Sequence, residues 1–498
     1  MSASRLSACH GLRLPAVFVV LLLIVTSASP GFAQPGRATP GPIACVERAK
    51  TVSELSRPLT SVERGLIFEA IQAGGEPTEA PPPSFDDKTL VATVLRYAHT
   101  ELGQRVRPSR VDRIWAIEPA PHDVASEFEE ALTAGRLNEW LANLRVPHTG
   151  YRQLAVERCR YFSIIAAGGW RELAQGPPLK RGVESPLSGQ LRLRLAQEGY
   201  VLASSSTPNR FDEELARALK LFQKRHGLLV DGDLGRQTRD ALNVSAEARA
   251  GQIEANLERW RWLPHSLPSR RIEVDIARSE ATLFNGGAPA LNMRVVVGDR
   301  LHKTPMFTTE VATVVFNPPW NVPSSIASNE ILPRAARDPT YLARNGFDRR
   351  DGRLVQRPGP ANALGRLKFD FPSPFGVYLH DTPSRAAFTR PLRALSHGCV
   401  RLEKPRELAQ ALLVAQGWTL ATIDAAIDAG TTRRVAVQAP IPLYLIYRTA
   451  FVDAAGDLNF RPDIYAWDAK LLSALAPFGA GSAAEVRRES ECSAASKP

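Results

Sequence analysis

At Arg271 the apolar residues of this 498-residue chain change their spacing, and that change constrains the fold more than any other feature. Ahead of it they recur at helical intervals. Leu90, Val91, Val94, Leu95 and Ala98 share one helix face; so do Phe128, Ala131, Leu132, Leu137, Trp140 and Leu141, with a polar break between them. From Arg271 the pattern alternates, and Ile272-Glu273-Val274-Asp275-Ile276 reads as a half-buried strand. Ala281 to Phe284, followed by Asn285-Gly286-Gly287, predicts a hairpin. Further strands are expected over Met293 to Val297 (ending at Gly298), Val311 to Phe316, Phe375 to Leu379, Val435 to Gln438 and Leu443 to Tyr447. Ser324 to about Arg366 is irregular and partly helical, and Glu403 to Ala415 is helical. A helical first part joined to a mainly β second part is a multidomain α+β protein, and the length allows roughly two to four domains.

The first residues carry the marks of export. Arg5 and Arg13 precede an apolar run from Leu14 to Val25, and Gly31-Phe32-Ala33 supplies a small-x-small cleavage site before Gln34. The run is short for a membrane span, so a cleaved signal (1–33) with no transmembrane anchor is expected. Its loss takes the formal charge from +11 to +9. Basic residues are dispersed among acids without aromatic interleaving, which excludes a nucleic-acid module; anionic polymers and plain solubility both fit. Cys45, Cys159, Cys399 and Cys492 remain after cleavage. In an oxidising compartment one pair among Cys45, Cys159 and Cys492 could close, and the sequence does not choose it.

Residues 185–245 form a compact unit. Leu191 and Leu195 lie on a first helix that Gly199 would cap, and Asp212 can start a second helix bearing Leu215, Ala218, Leu219 and Phe222. Phe222-Gln223-Lys224-Arg225-His226-Gly227-Leu228, then Asp231-Gly232-Asp233-Leu234-Gly235, then Thr238, Ala241 and Leu242 follow in order. This set resembles the three-helix peptidoglycan-binding domain of wall enzymes. Asp231-Gly-Asp is no EF-hand, since the further acidic ligands are missing. A helical spacer without a ligand groove is the competing reading.

The chemistry concentrates in Ser396-His397-Gly398-Cys399-Val400-Arg401, with His380 nineteen positions upstream of the cysteine. A thiol attacks carbonyls as thiolate, so Cys399 needs a base. A strand ending at His380 and a second starting near Ser396 would bring the two together. His380 would take the proton and return it to the leaving amine. Asp381, through its carboxylate or its backbone carbonyl, would orient the imidazole. The Gly398 and Cys399 N–H groups could hold the oxyanion, each donor being worth about 3 kcal/mol. Tyr378 could add a hydroxyl, and Arg401 suits a substrate carboxylate or a structural ion pair. His397 is a supporting residue. Zinc is disfavoured, because nothing completes a ligand set for His380, His397 and Cys399.

His380, fifteen residues, then Ser-His-Gly-Cys-x-Arg resembles the L,D-transpeptidase (YkuD) catalytic domain. Val297-Gly298 leading to Thr304-Pro305, Asn317-Pro318-Pro319-Trp320-Asn321-Val322-Pro323, Tyr378-Leu379-His380-Asp381-Thr382-Pro383 and Pro358-Gly359-Pro360-Ala361-Asn362-Ala363-Leu364-Gly365 resemble its large Gram-negative subfamily. Many smaller relatives have glycine where Asp381 stands. The resemblance implies a signal peptide (1–33), linker (34–44), helical scaffold domain (45–184), peptidoglycan-binding domain (185–245), connecting helix (246–269), mainly β catalytic domain (270–450) with a lid-like insertion (about 324–366), and a C-terminal extension and tail (451–498). It further implies a periplasmic enzyme that acts on peptidoglycan stem peptides and glycan, beside other wall synthases or hydrolases. Such an enzyme forms a Cys399 thioester with meso-diaminopimelate, releases D-alanine, and cross-links third residues. Tyr378, Trp320, Asn321, Asn362, Ser396 and Arg401 would contact substrate, carbapenems would acylate Cys399, and no metal or organic cofactor is implied. An L,D-carboxypeptidase or endopeptidase, or a non-catalytic wall-binding protein, is the alternative.

Overall fold

The computed structural model describes residues 57–73, 86–200 and 206–478. The signal segment, the linker, Cys45, Cys492 and the tail lie outside them.

In the helical part, Asp87–Glu101 starts where the Asp86 side chain accepts the Thr89 N–H. It packs with Ser61–Ala73, Val124–Thr133 and Leu137–Leu144 around Ile67, Val94, Phe128 and Leu141, the apolar faces the helical spacing predicted. The next helix, Thr149–Ala166, instead joins Ala246–Arg261 and the hairpin Ala450–Val452/Leu458–Phe460 in a separate core. A buried ionic cluster ties these helices together. Arg105 bridges Glu254 at 3.0 Å and Glu258 at 2.6 Å, and Arg158 and Arg261 also face Glu254. Such pairs fix relative placement more surely than they add stability. Trp262 packs on Trp115, which meets Trp467 edge-on at 5.5 Å, and these tryptophans join helical and β parts.

Pro186–Gln197, Glu213–Arg225 and Arg236–Leu242 form the expected three-helix unit around Leu191, Leu219 and Phe222. Gln223 fixes its glycine turn. Its amide donates to Asp231, the Asp233 carbonyl and Thr238, and its carbonyl oxygen accepts the Gly232 N–H at 2.8 Å. The FQ-x-x-HGL and DG-x-x-G residues thus hold each other.

Among the described residues, eight strands pair in a closed ring. It runs from Met306–Phe316 through Arg433–Ile446, Arg271–Asp275, Glu280–Asn285, Ala288–Gly298, Val400–Leu402, Leu379–His380 and Leu367–Asp370, and back to Met306–Phe316. Closure removes the exposed edges of an open sheet. Val274, Val295, Phe316 and Leu445 fill the interior. The two strands expected near residues 435 and 443 are one, with an irregularity between Ala436 and Ile441. The strand expected from Phe375 is shorter. Ser373 Oγ accepts the Phe375 and Val377 N–H groups, Gly376 takes φ +65°, and only Leu379–His380 enters the ladder.

The insertion is more regular than its sequence suggests. Trp320–Asn321, Arg353–Gln356 and Phe347–Arg350 make a three-stranded sheet, which packs with short helices around Val322, Ile331, Phe347 and Leu354.

Candidate active site

Two strand pairings create the site. Leu379–His380 runs parallel to Val400–Leu402, with Leu379 opposite Val400 and His380 opposite Arg401. Upstream, Ala394–Ser396 lies parallel to Ala288–Gly298, whereas Val400–Leu402 is antiparallel to it. The chain reverses within His397–Cys399, at Gly398, whose φ of +107° few other residues adopt. Cys399 therefore sits at the tip of a tight turn beside the strand carrying His380.

Ser396 locks that turn. Its hydroxyl donates to the Cys399 carbonyl at 2.5 Å and accepts the Gly398 N–H at 3.2 Å. The Gly398 N–H is therefore not a free oxyanion donor as the sequence suggested. Among the described residues no acceptor takes the Cys399 N–H. The Tyr378 hydroxyl faces both the Cys399 sulfur and the Trp320 indole, which brings three predicted residues together.

His380 is buried and its Nδ1 meets the Asp381 carbonyl at 2.5 Å. With Nδ1–H donating there, Nε2 is the nitrogen left to act as base. Of the two orienting groups considered for Asp381, the backbone one is used. The carboxylate accepts the Arg366 N–H at 2.8 Å and faces Arg385. Burial, then the charge of Arg401, pushes the imidazole down to about 3, against the Asp381 and Leu364 carbonyls. Burial also pushes the Cys399 thiol above its ordinary value, against Tyr378, Lys368 and Arg401. Both shifts favour the uncharged forms, thiol and imidazole.

Arg401 is half-buried beside both groups and pairs with no carboxylate among the described residues. Of its two candidate roles, the structural ion pair is the one those residues do not supply.

Three further predicted residues have the following surroundings. Asn362 is buried, and its amide donates to the carbonyls of Pro318, Gln356 and Arg357, while its oxygen accepts the Leu364 N–H. It shapes the segment ahead of Gly365 and has no amide hydrogen to offer a substrate. Asn321 is exposed on the short strand that precedes the insertion and pairs with Arg353–Gln356. His397 is exposed, and its Nε2 pairs with Glu330 of the insertion at 2.6 Å, tying that insertion to the catalytic turn.

Sequence reasoning missed Asn317. It takes φ +45°, donates to the Ala426 and Ile427 carbonyls and accepts from Arg366. The neighbouring prolines signalled a special backbone there, without revealing these partners.

Three stretches match known families. Residues 269–433 match YkuD, described as "L,D-transpeptidase catalytic domain"; 185–242 match "Putative peptidoglycan binding domain"; 79–157 match "Scaffold domain". A Haemophilus influenzae protein named "Putative L,D-transpeptidase" is 31% identical over 269 residues, which is 49% of this chain and 54% of the relative. The chain thus spans about half the length of that curated relative. Solved L,D-transpeptidases from Xylanimonas cellulosilytica (17% identity, TM-score 0.19, 55% of this chain and 100% of that one) and Stackebrandtia nassauensis (12%, 0.22, 54% and 97%) are also similar. Scores this low leave the family match and the site geometry to carry the assignment. Residues 269–433 are a YkuD-type L,D-transpeptidase catalytic domain, carried in one chain with a peptidoglycan-binding domain and a scaffold domain.

Proposed function

We propose that this chain is a cell-wall L,D-transpeptidase that joins meso-diaminopimelate residues of two stem peptides through a Cys399 thioester. The observation that carries the reading is the pairing of His380 with Arg401, which sets a carbonyl-oriented imidazole next to the Cys399 turn inside a domain of this family. His380 Nε2 takes the thiol proton as the sulfur adds to the diaminopimelate carbonyl. The Cys399 N–H and the Tyr378 hydroxyl face the developing oxyanion. Collapse breaks the bond to D-alanine, whose amine leaves with the proton from His380. The side-chain amine of a second diaminopimelate then adds to the thioester, His380 takes its proton, and the thiol is regenerated as the new amide forms. Arg401 holds a stem-peptide carboxylate. The insertion, held to the turn by His397 and Glu330, keeps water from the thioester. The peptidoglycan-binding domain keeps the enzyme on its polymer, the exported chain works in the periplasm among other wall enzymes, and carbapenems acylate the same thiol. No described helix is long and apolar enough to cross a membrane.

The test is incubation of the purified mature protein with disaccharide-tetrapeptide, read by mass spectrometry. A dimer lacking one D-alanine, absent with Cys399→Ala, is the expected product. Tripeptide monomer alone would make the enzyme an L,D-carboxypeptidase. Cleavage of ready-made cross-links would make it an endopeptidase. Unchanged substrate with an unreactive thiol would leave a wall-binding protein.

A further inference from the structure

Four buried groups from three distant segments meet beneath the catalytic turn. The Tyr465 hydroxyl donates to the Gly298 carbonyl at 2.6 Å and accepts the Thr304 N–H at 3.1 Å. The Thr304 hydroxyl accepts the Gly298 N–H at 2.9 Å and donates to the Gly398 carbonyl at 2.8 Å. Tyr465 and Thr304 are almost wholly inaccessible. Burial pushes the Tyr465 hydroxyl up to about 12, so it stays a donor throughout the working range. Each hydroxyl has one hydrogen, and both hydrogens are committed. The hydrogen-bond direction is therefore fixed, from Tyr465 to Gly298 and from Thr304 to Gly398.

The Gly398 carbonyl and the Cys399 N–H belong to one planar peptide group. In a trans peptide they point in opposite directions. Holding the carbonyl inward on Thr304 turns the Cys399 N–H outward, away from the core, and that N–H has no acceptor among the described residues. The glycine at 398 is what leaves this plane rotatable, and the hydroxyl pair is what fixes it. Tyr465 lies beyond residues 269–433, in the segment that packs through Tyr447 and Trp467 against the barrel.

We propose that Thr304 and Tyr465 are positioning residues that aim the Cys399 N–H at the oxyanion, so that the segment after the barrel belongs to the catalytic unit. This deepens the reading of Cys399 as an acyl-transfer nucleophile and rests on it, but not on the identity of the natural substrate.

Two thiol probes separate aiming from mere integrity. p-Nitrophenyl acetate acylates Cys399 through a tetrahedral oxyanion, releasing p-nitrophenolate. Iodoacetamide alkylates it by displacing iodide, with no oxyanion. Both rates are measured on the full mature chain, with Cys399→Ala as background. Thr304→Val and Tyr465→Phe are expected to lower the ratio of acylation to alkylation by roughly ten- to a hundredfold, somewhat less than outright loss of an oxyanion donor. Thr304→Ser, which keeps the hydroxyl, restores the ratio to within about threefold of the parent. Tyr161→Phe loses a buried 2.7 Å hydrogen bond to Glu198 far from the site and leaves the ratio unchanged. An unchanged ratio in Thr304→Val, a parallel fall in both rates, or a parent ratio no higher than that of Thr304→Val would overturn the proposal. If the parent shows the expected ratio yet forms no cross-linked dimer from tetrapeptide, the substrate reading fails and the positioning role stands.

Discussion

Gly298→Ala tests how tightly the catalytic turn is built. A Cβ on Gly298 would lie 1.9 Å from the His302 carbonyl oxygen, 2.8 Å from the Thr304 nitrogen and 3.1 Å from Gly398 Cα. All three are backbone atoms, so no flexible side chain can swing aside. Ordinary contact begins near 3.4 Å, so the 299–304 loop must withdraw by about 1.5 Å. Overpacking of this kind costs about 1–3 kcal/mol, and the rigidity of the obstacle places it at the upper end. The withdrawing loop carries Thr304, which holds the Gly398 carbonyl. A displacement of about 1 Å at a reacting group can cost about a hundredfold in rate. Urea denaturation should therefore show about 2–3 kcal/mol of lost stability. Acylation of Cys399 should slow by about a hundredfold while the folded fraction at 25 °C stays high. Parent-like stability together with a parent-like acylation rate would refute the claim that Gly298 is filled space against the turn.

Three further outcomes are expected. Asp381→Asn should lower turnover by less than about tenfold, because His380 leans on the backbone carbonyl; a loss near 10⁴-fold, typical of a triad carboxylate, would contradict this. Iodoacetamide labelling of Cys399 should climb with pH beyond the ordinary thiol range without a plateau between pH 5 and 8, since burial raises the thiol and His380 stays neutral; a neutral-pH plateau would indicate a standing thiolate–imidazolium pair. Burial alone would raise the Glu254 carboxyl, but Arg105, Arg158 and Arg261 hold it well below the ordinary carboxylate range. A depressed acid stabilises the fold above its unfolded pKa of about 4.3 and loses that contribution as pH falls. Glu254→Gln should therefore be less stable than the parent at pH 7, with the gap narrowing below about pH 4, as read from thermal denaturation at each pH.

Much of the architecture was legible because it rests on local periodicity. The helical faces of 90–98 and 128–141, the hairpin at Asn285-Gly286-Gly287 and the Asp212 cap each depend on neighbours a few residues away. The three-helix unit was legible for the same reason, since Gln223 finds its partners within fifteen residues. The insertion was read as irregular because its strands are short and their core is assembled from scattered residues such as Val322, Ile331 and Phe347.

The chemistry of the site divides in the same way. The sequence by itself singled out the candidate groups, because a cysteine between glycine and a β-branched residue, a histidine upstream and an arginine two positions on are matters of residue type and spacing. Only the tertiary structure decided how their hydrogen bonds are spent. It gave the Gly398 N–H to Ser396, the Asn362 amide to three carbonyls, and the orientation of His380 to the Asp381 backbone instead of its carboxylate. It also brought Tyr465 beneath a turn sixty-six positions earlier in the chain. The reason is physical. Periodicity reports which face of an element is buried, whereas the direction of an N–H or a hydroxyl depends on whichever acceptor the tertiary fold places within hydrogen-bond reach of it.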